Sequence, residues 1–204
     1  MASRLRMRVL NTRTVLAVAV ALVLSSCGAV GSGDILTEQR EVDTFDRVEV
    51  SGGMAVDLLV EPDATQEVTV TFDDNLLDRV VTRVNGNTLI IEFDGGAQFT
   101  GAGRFVAVIM PSLEAVIAGG GADVIGSGAE TTIQVRASGG SNVDLTDLAA
   151  RTVELEASGG SDVVVFASQA VTGEASGGSN VTVFGNPTEV SVDSTGGSDV
   201  SLAD

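Results

Sequence analysis

The chain contains no Lys, His, Trp or Tyr, and it has one Cys and 7 Phe among its 204 residues. Without His, neither a Ser-His-Asp nor a Cys-His catalytic arrangement can form. The scarcity of aromatic rings removes the platforms on which sugar rings usually stack. A single Cys excludes an intrachain disulfide framework. These absences argue against an enzyme and against a small secreted domain held together by disulfides.

Basic residues are also few, and all 11 of them are Arg. Four precede Cys27 and all 28 acidic residues follow it, so the part after Cys27 carries a formal net charge of −21. Such a body is repelled by nucleic acid and by anionic lipid surfaces. We therefore expect no nucleic-acid partner and interpret the charge as a solvated acidic surface, with cation binding as the alternative.

The residues that are abundant favour one domain built from strands. Val, Ala, Leu and Ile supply most of the 44% hydrophobic fraction, beside 25 Gly. Small and β-branched side chains suit closely stacked strands better than helices. A chain of this length can bury one substantial core, and its composition does not change along the sequence in a way that marks a second domain.

The N-terminus has the pattern of an export signal. Four Arg (Arg4, Arg6, Arg8 and Arg13) precede an apolar run from Val15 to Leu24. That run is about half the roughly 20 residues that a membrane-spanning helix needs. Residues 1–26 are therefore predicted to be a cleaved signal peptide.

The run ends in Leu24-Ser-Ser-Cys27-Gly28, which resembles the lipobox of bacterial lipoproteins. The resemblance implies that Cys27 is acylated, with palmitate or similar chains, and becomes the new N-terminus. Two or three acyl chains suffice for stable anchoring. We predict a lipidated Cys and flexible tether over 27–37, a folded domain over 38–204, and an extracytoplasmic location at the cell surface or in the periplasm. An ordinary signal peptide with an incidental Cys27 is the alternative.

A motif of Gly-Gly, one small residue, Asp or Asn, and then Val recurs through the C-terminal half. Its intervals are 19, 20, 18 and 19 residues. The acidic or amide positions are Asp123, Asn142, Asp162, Asn180 and Asp199.

Each repeat places alternating apolar residues on both sides of the Gly-Gly pair, as Val153, Leu155 and Val163 show. Alternation with period two directs one set of side chains inward, and Gly-Gly allows a sharp turn. The sequence predicts an all-β, single-stranded β-solenoid, or parallel β-helix, with coils of about 19 residues. A leucine-rich horseshoe lacks support because the Leu-x-x-Leu-x-Leu spacing of that repeat is absent. A β-sandwich remains an alternative.

The N-terminal half follows the same plan more loosely. Phe45 to Leu58 repeats the strand, Gly-Gly, strand order, and Ala55 occupies the polar position. A single helical turn is predicted over Asp73 to Asp78, and a hairpin about Gly86. We expect these irregular N-terminal strands to cap one end of the solenoid.

The order of four sequence features resembles the putative auto-transporter adhesin, head GIN domain family. They are Phe45-Asp-Arg-Val-Glu-Val-Ser-Gly, Asp73-Asp-Asn-Leu-Leu-Asp78 followed by Val84-Asn-Gly-Asn-Thr-Leu-Ile-Ile91, Val106-Ala-Val-Ile-Met-Pro111 with Leu113, and the Gly-Gly corners. The resemblance covers residues 42 to 202. It implies a β-helical fold and an envelope location, and it brings no catalytic residue or cofactor.

The most site-like feature is the column formed by Asp123, Asn142, Asp162, Asn180 and Asp199, which successive coils would stack on one edge. Adjacent carboxylates about 4.8 Å apart repel, whereas an Asn amide between them can donate to its neighbours. The column is interpreted as a polar ladder, with a binding edge as the alternative. No tight Ca²⁺ site is expected, because the nine-residue calcium repeat is absent.

Three functions remain open at this point. The first is a lipoprotein whose non-catalytic β-helix surface recognises a glycan or protein at the envelope. The second is a structural envelope protein that self-associates weakly through the last coil, around Val200 and Leu202. A polysaccharide-acting β-helix enzyme is the least supported, because its usual acid, base and aromatic groups are scarce.

Overall fold

The computed structural model describes residues 29–95, 97–98 and 103–203. The predicted signal peptide and Cys27 lie outside these residues. The described chain consists of strands and one 3₁₀ helix, Leu77–Arg79. The strands are β1 (Ala29–Val30), β2 (Ile35–Arg40), β3 (Arg47–Val50), β4 (Ala55–Val60), β5 (Glu67–Asp73), β6 (Val80–Asn85), β7 (Thr88–Phe93), β8 (Ala97–Gln98), β9 (Phe105–Met110), β10 (Ala115–Ala118), β11 (Asp123–Ala137), β12 (Asn142–Ala157), β13 (Asp162–Ala175), β14 (Asn180–Phe184), β15 (Glu189–Ser194) and β16 (Asp199–Leu202).

Two parallel stacks of strands form the body of the molecule. The front stack runs β9, β4, β11, β12, β13, β14, β16, and the back stack runs β7, β3, β10, β11, β12, β13, β15. Strands β11, β12 and β13 are long and contribute to both stacks. The chain thus winds as a β-solenoid of about 4 turns with coils of about 20 residues, which confirms the predicted fold class.

The repeats align residue by residue across the coils. Val124, Val143, Val163, Val181 and Val200 are successive partners in the front stack. The first four are buried and belong to one core of Val, Leu, Ile and Ala side chains that runs the length of the solenoid. Because the side-chain period is two, this register keeps every apolar row on the inside.

The Gly-Gly corners stack directly on one another. Gly159 and Gly160 have φ values of 65° and 75°, in the left-handed region that favours glycine. A Cβ on Gly159 would lie 3.0 Å from the backbone nitrogen of Gly139, whereas one on Gly160 would meet nothing within 4 Å. The amide of Gly140 donates to the carbonyl of Gly159 at 3.1 Å. The first Gly of a corner is therefore required both by conformation and by space.

The N-terminal end departs from the parallel winding. Strand β5 pairs antiparallel with β9, and β2 pairs antiparallel with β5. Strands β6 and β7 form the predicted hairpin about Gly86. The helical turn forms at Leu77–Arg79, after Asp73 has ended β5. β2 begins at Ile35, within the segment predicted to be a tether and three residues before the predicted domain start.

The C-terminal end has a simpler arrangement. Strand β15 pairs with β13, and β16 pairs with β14. Within the described residues, no further strand pairs with β15 or β16. The last coil therefore leaves one edge of each stack open to solvent, while antiparallel strands lie over the first coil.

Candidate functional site

The predicted column lies at the start of the strands that follow each Gly-Gly corner. Asp123 pairs with Asn142, Asn142 with Asp162, Asp162 with Asn180, and Asn180 with Asp199. All five side chains are exposed. On the N-terminal side, Ala55 is the partner of Asp123. The structure thus brings all five predicted residues into one line along the corner.

Hydrogen bonds join the column in pairs. The Asn142 amide Nδ2 donates to Asp123 Oδ1 at 2.9 Å, and the Asn180 amide Nδ2 donates to Asp162 Oδ1 at 2.7 Å. Because Asn alternates with Asp along the stack, no two carboxylates of the column lie on adjacent strands. This geometry is that of the polar ladder, and it leaves carboxylate oxygens at the surface of the corner.

No group of three or more His, Cys, Asp or Glu side chains in the described part of the chain could hold a metal ion. The acidic members of the column are separated by Asn within the stack, so the ladder itself does not gather carboxylates at one point.

A second polar row, which the sequence analysis did not assign, lies just inside the column. Ser141, Ser161 and Ser179 are buried. Ser141 Oγ donates to the carbonyl of Ala118 and Ser161 Oγ to that of Ala137, both at 3.2 Å. Period two could have indicated this row, because each Ser stands one residue before an outward Asp or Asn and two before an inward Val.

The most buried charge among the described residues is also one that sequence reasoning missed. Asp73 is 0% exposed and forms an ion pair with Arg104. Arg104 Nη2 lies 2.7 Å from Asp73 Oδ1. Hydrogen bonding from Arg104 lowers the pKa of Asp73 to about 2, assisted by the amide of Gly33 and opposed by burial of the carboxylate.

Asp73 and the two residues after it hold the segment that precedes β2. The amide of Gly33 donates to Asp73 Oδ1 at 2.8 Å. Ser32 Oγ donates to Asp74 Oδ1 at 2.5 Å, and the Ser32 amide donates to Asn75 Oδ1 at 3.0 Å. Asn75 Nδ2 donates to the carbonyl of Val30 at 3.0 Å.

Gly31 contributes to the same contact by its lack of a side chain. A Cβ there would lie 2.5 Å from the Asp73 carboxylate. We call Val30 to Asp34, with these contacts to Asp73, Asp74 and Asn75, the N-terminal latch. It fixes the segment before β2 against the capped end of the solenoid.

Two open depressions lie on the outer surface of the described part of the chain. One of about 310 Å³ lies on the back stack among Gln134, Glu154, Thr172 and their neighbours, where Arg136 pairs with Glu156 at 3.2 Å. Another, of about 590 Å³, lies beside Phe45, Gln66 and Pro111. Both are open to solvent and suit contact with an extended surface better than enclosure of a small molecule.

None of the helices in the described residues is long and apolar enough to cross a lipid bilayer.

Together, the winding, the stacked corners and the exposed polar ladder define a parallel β-solenoid protein. The chain belongs to the putative auto-transporter adhesin, head GIN domain family, whose model matches residues 44–132 and 116–187. The family resemblance inferred from the sequence is thereby confirmed. No curated protein matches the sequence.

One solved structure supports the same fold. The chain is similar to a putative adhesin from Bacteroides fragilis, with a TM-score of 0.56, 17% identity, and coverage of 86% of this chain and 100% of that one. A putative lipid binding protein from Parabacteroides distasonis has a TM-score of 0.41 and 16% identity, with 86% and 99% coverage. A putative adhesin from Parabacteroides merdae has a TM-score of 0.41 and 15% identity, with 87% and 99% coverage.

Proposed function

We propose that this chain is a lipoprotein of the cell envelope whose β-solenoid presents a non-catalytic surface for adhesion or recognition. Membership of a family described as adhesins is the observation that carries the proposal. The exposed polar corner and the open outer depressions agree with it, because such surfaces suit large ligands. The ligand class is a glycan or a protein at the envelope.

The proposal includes a lipid anchor at Cys27 and an extracytoplasmic location. The lipobox-like segment ending at Cys27 supports the anchor. The N-terminal latch adds a geometric consequence, since it holds the chain a few residues after Cys27 on the capped end of the solenoid. A lipid at Cys27 would therefore hold the capped end near the membrane and direct the last coil away from it.

An array of glycans and envelope proteins tests the recognition role. We expect the purified chain to capture at least one component reversibly and to leave the mass of every polysaccharide unchanged. Cleavage of a polysaccharide that is abolished by Asp162→Ala would contradict a non-catalytic function and favour the enzyme alternative. Absence of capture across the array would contradict recognition.

Self-association through the last coil is the second candidate, and the exposure of Leu202 favours it. Two copies meeting at this coil would bury apolar surface that each leaves in water. However, both copies would bring acidic side chains to the contact, because Glu189, Asp193 and Asp199 all lie on the last strands. Charge therefore weakens this candidate at low ionic strength.

A further inference from the structure

The last coil exposes apolar positions that the coil before it buries. Val190 is 39% exposed and Leu202 is 63% exposed. Their partners on the preceding strands, Val171 and Val183, are both 0% exposed. The interior rows of the solenoid therefore continue to the open end without a covering layer in the described part of the chain.

The two ends of the solenoid differ in how their edge strands are protected. On β2, Glu38 and Arg40 pair with the buried Val70 and Val68, so both charges lie on the core side of the strand. They also form an ion pair at 3.4 Å. Charges that face inward on an edge strand discourage another strand from adding to it.

The edges of β15 and β16 have no such device. Their inward positions carry no charge and are apolar except for Ser194; they are Val190, Val192, Ser194, Val200 and Leu202. A strand added to β15 could therefore continue the interior rows with its own small apolar side chains. The same addition would satisfy backbone groups that face solvent on the outer side of the strand.

Charge selects among the strands that could be added. The outward residues of β15 include Glu189 and Asp193, and the outward residue at the start of β16 is Asp199. The sequence has no Lys or Arg after Arg151. Directly opposed like charges destabilise a pair of strands, whereas opposite charges stabilise it.

We propose that the open edge of β15 binds an extended, basic segment of a partner protein by strand addition. The segment would alternate Lys or Arg, opposite Glu189 and Asp193, with small β-branched residues that continue the row of Val190 and Val192. The inference rests on the proposed recognition function and names the site and the chemical class of its partner. A second copy of the last coil is the less favoured occupant, because its outward residues are acidic.

Binding of a fluorescently labelled peptide, Lys-Val-Thr-Val-Lys-Val-Lys, to the purified full chain tests strand addition at β15. The fluorescence anisotropy of the peptide is measured as the protein is added. Two control peptides are a version with Glu in place of each Lys and a scrambled version that breaks the alternation. We expect binding of the first peptide only, weakened at least about tenfold between 50 and 500 mM salt, as for contacts between exposed charges. Equal binding of the three peptides, or no binding of the first, would overturn the proposal.

Variants locate the site. Val190→Lys places an inward charge on β15, as Glu38 and Arg40 do on β2, and we expect it to weaken peptide binding by about tenfold or more. Ile125→Lys changes an apolar side chain that is 51% exposed on the front stack, away from the edge, and should leave binding unchanged. Because both positions are substantially exposed, both variants should keep the wild-type melting temperature, which a thermal scan checks.

Three outcomes distinguish this inference from the broader function and from self-association. If Val190→Lys and Ile125→Lys affect the peptide equally, the edge is not its site and the proposal is overturned. If Val190→Lys abolishes the peptide contact but leaves capture on the envelope array intact, the proposed function survives and β15 is not where it is exerted. Sedimentation that shows a dimer dispersed by Val190→Lys would overturn the basic partner in favour of a second copy.

Discussion

At the N-terminal end of the solenoid, the carboxylate of Asp73 accepts hydrogen bonds from Arg104 and from the amide of Gly33. Both partners come from outside β5, 31 and 40 residues away in sequence. One buried side chain therefore joins the segment before β2, the end of β5 and the approach to β9. Its loss affects three parts of the chain together.

Asp73→Asn should destabilise the fold by about 3 kcal/mol, because it removes the buried negative charge of the ion pair between Asp73 and Arg104. Urea unfolding at neutral pH measures the change. Asp78→Asn, at an exposed position on the neighbouring 3₁₀ helix, is the control and should change stability by less than about 0.5 kcal/mol. Equal effects of the two substitutions would contradict the assigned role of Asp73.

The same substitution has a pH signature. The pKa of Asp73 in the folded chain is about 2, below the value of about 3.9 for an unfolded Asp. The stabilisation from this group is thus fully present above about pH 4 and is lost as the pH falls toward 2. The difference in stability between wild type and Asp73→Asn should therefore shrink from pH 5 to pH 2.

Sequence reasoning could not single out Asp73. It is one of 28 acidic residues, and the alternation of Val68, Val70 and Phe72 inward would place Asp73 on the outside. It is buried because the latch segment lies over it, a contact between residues about 40 apart. Arg104 directly follows the Gly-rich stretch from Gly95 to Gly103, so no local pattern indicated the pair.

At the scale of single elements, the Gly-Gly corner is where sequence and structure agree most closely. Gly159→Ala places a residue with a Cβ at a left-handed backbone φ, which costs about 1 to 2 kcal/mol. It also brings that Cβ to 3.0 Å from the backbone nitrogen of Gly139. Gly160→Ala has only the first penalty, because its Cβ position is open. We expect Gly159→Ala to be the more destabilising by about 1 kcal/mol or more.

Urea midpoints of the two variants measured side by side test this ordering. A larger loss for Gly160→Ala would show that the corners are not in close contact across coils. The comparison is informative because both variants change the same residue type at adjacent positions with similar φ, so the effect on the unfolded chain is shared.

The corners and alternating pairs were predictable because each repeat carries the same local signals. The antiparallel course of β2 and β5 was not, since a strand pattern alone specifies which side chains face inward but not which neighbour the strand joins. The Asp and Asn column followed from the repeat interval, but the interval does not determine to which of its two neighbouring Asp residues each Asn amide donates.

At the scale of the whole molecule, the solenoid has two unlike ends. The N-terminal end is covered by antiparallel strands and holds the latch, and the C-terminal end exposes Val190 and Leu202. The fold class could be predicted from the sequence because a repeated unit determines the architecture. The difference between the ends could be predicted only in outline, as irregular strands at one end and an apolar coil at the other.

Because the two ends differ, the position of the proposed lipid anchor determines which end of the solenoid faces the membrane. With Cys27 acylated, the latch would keep the capped end at the membrane, and the acidic body and open edge would extend into the space beyond. The high negative charge supports this orientation, since an acidic body is repelled by anionic lipid. The anchoring of the chain at Cys27 is therefore the central claim of the account.

Mass spectrometry of the protein recovered from the membrane fraction, with Cys27→Ser prepared in parallel, tests that claim most directly. We predict a mature chain that begins at residue 27 and carries the mass of acyl chains there, and a Cys27→Ser product that lacks this mass and leaves the membrane fraction. A soluble wild-type chain with no acyl mass on residue 27 would contradict the anchor.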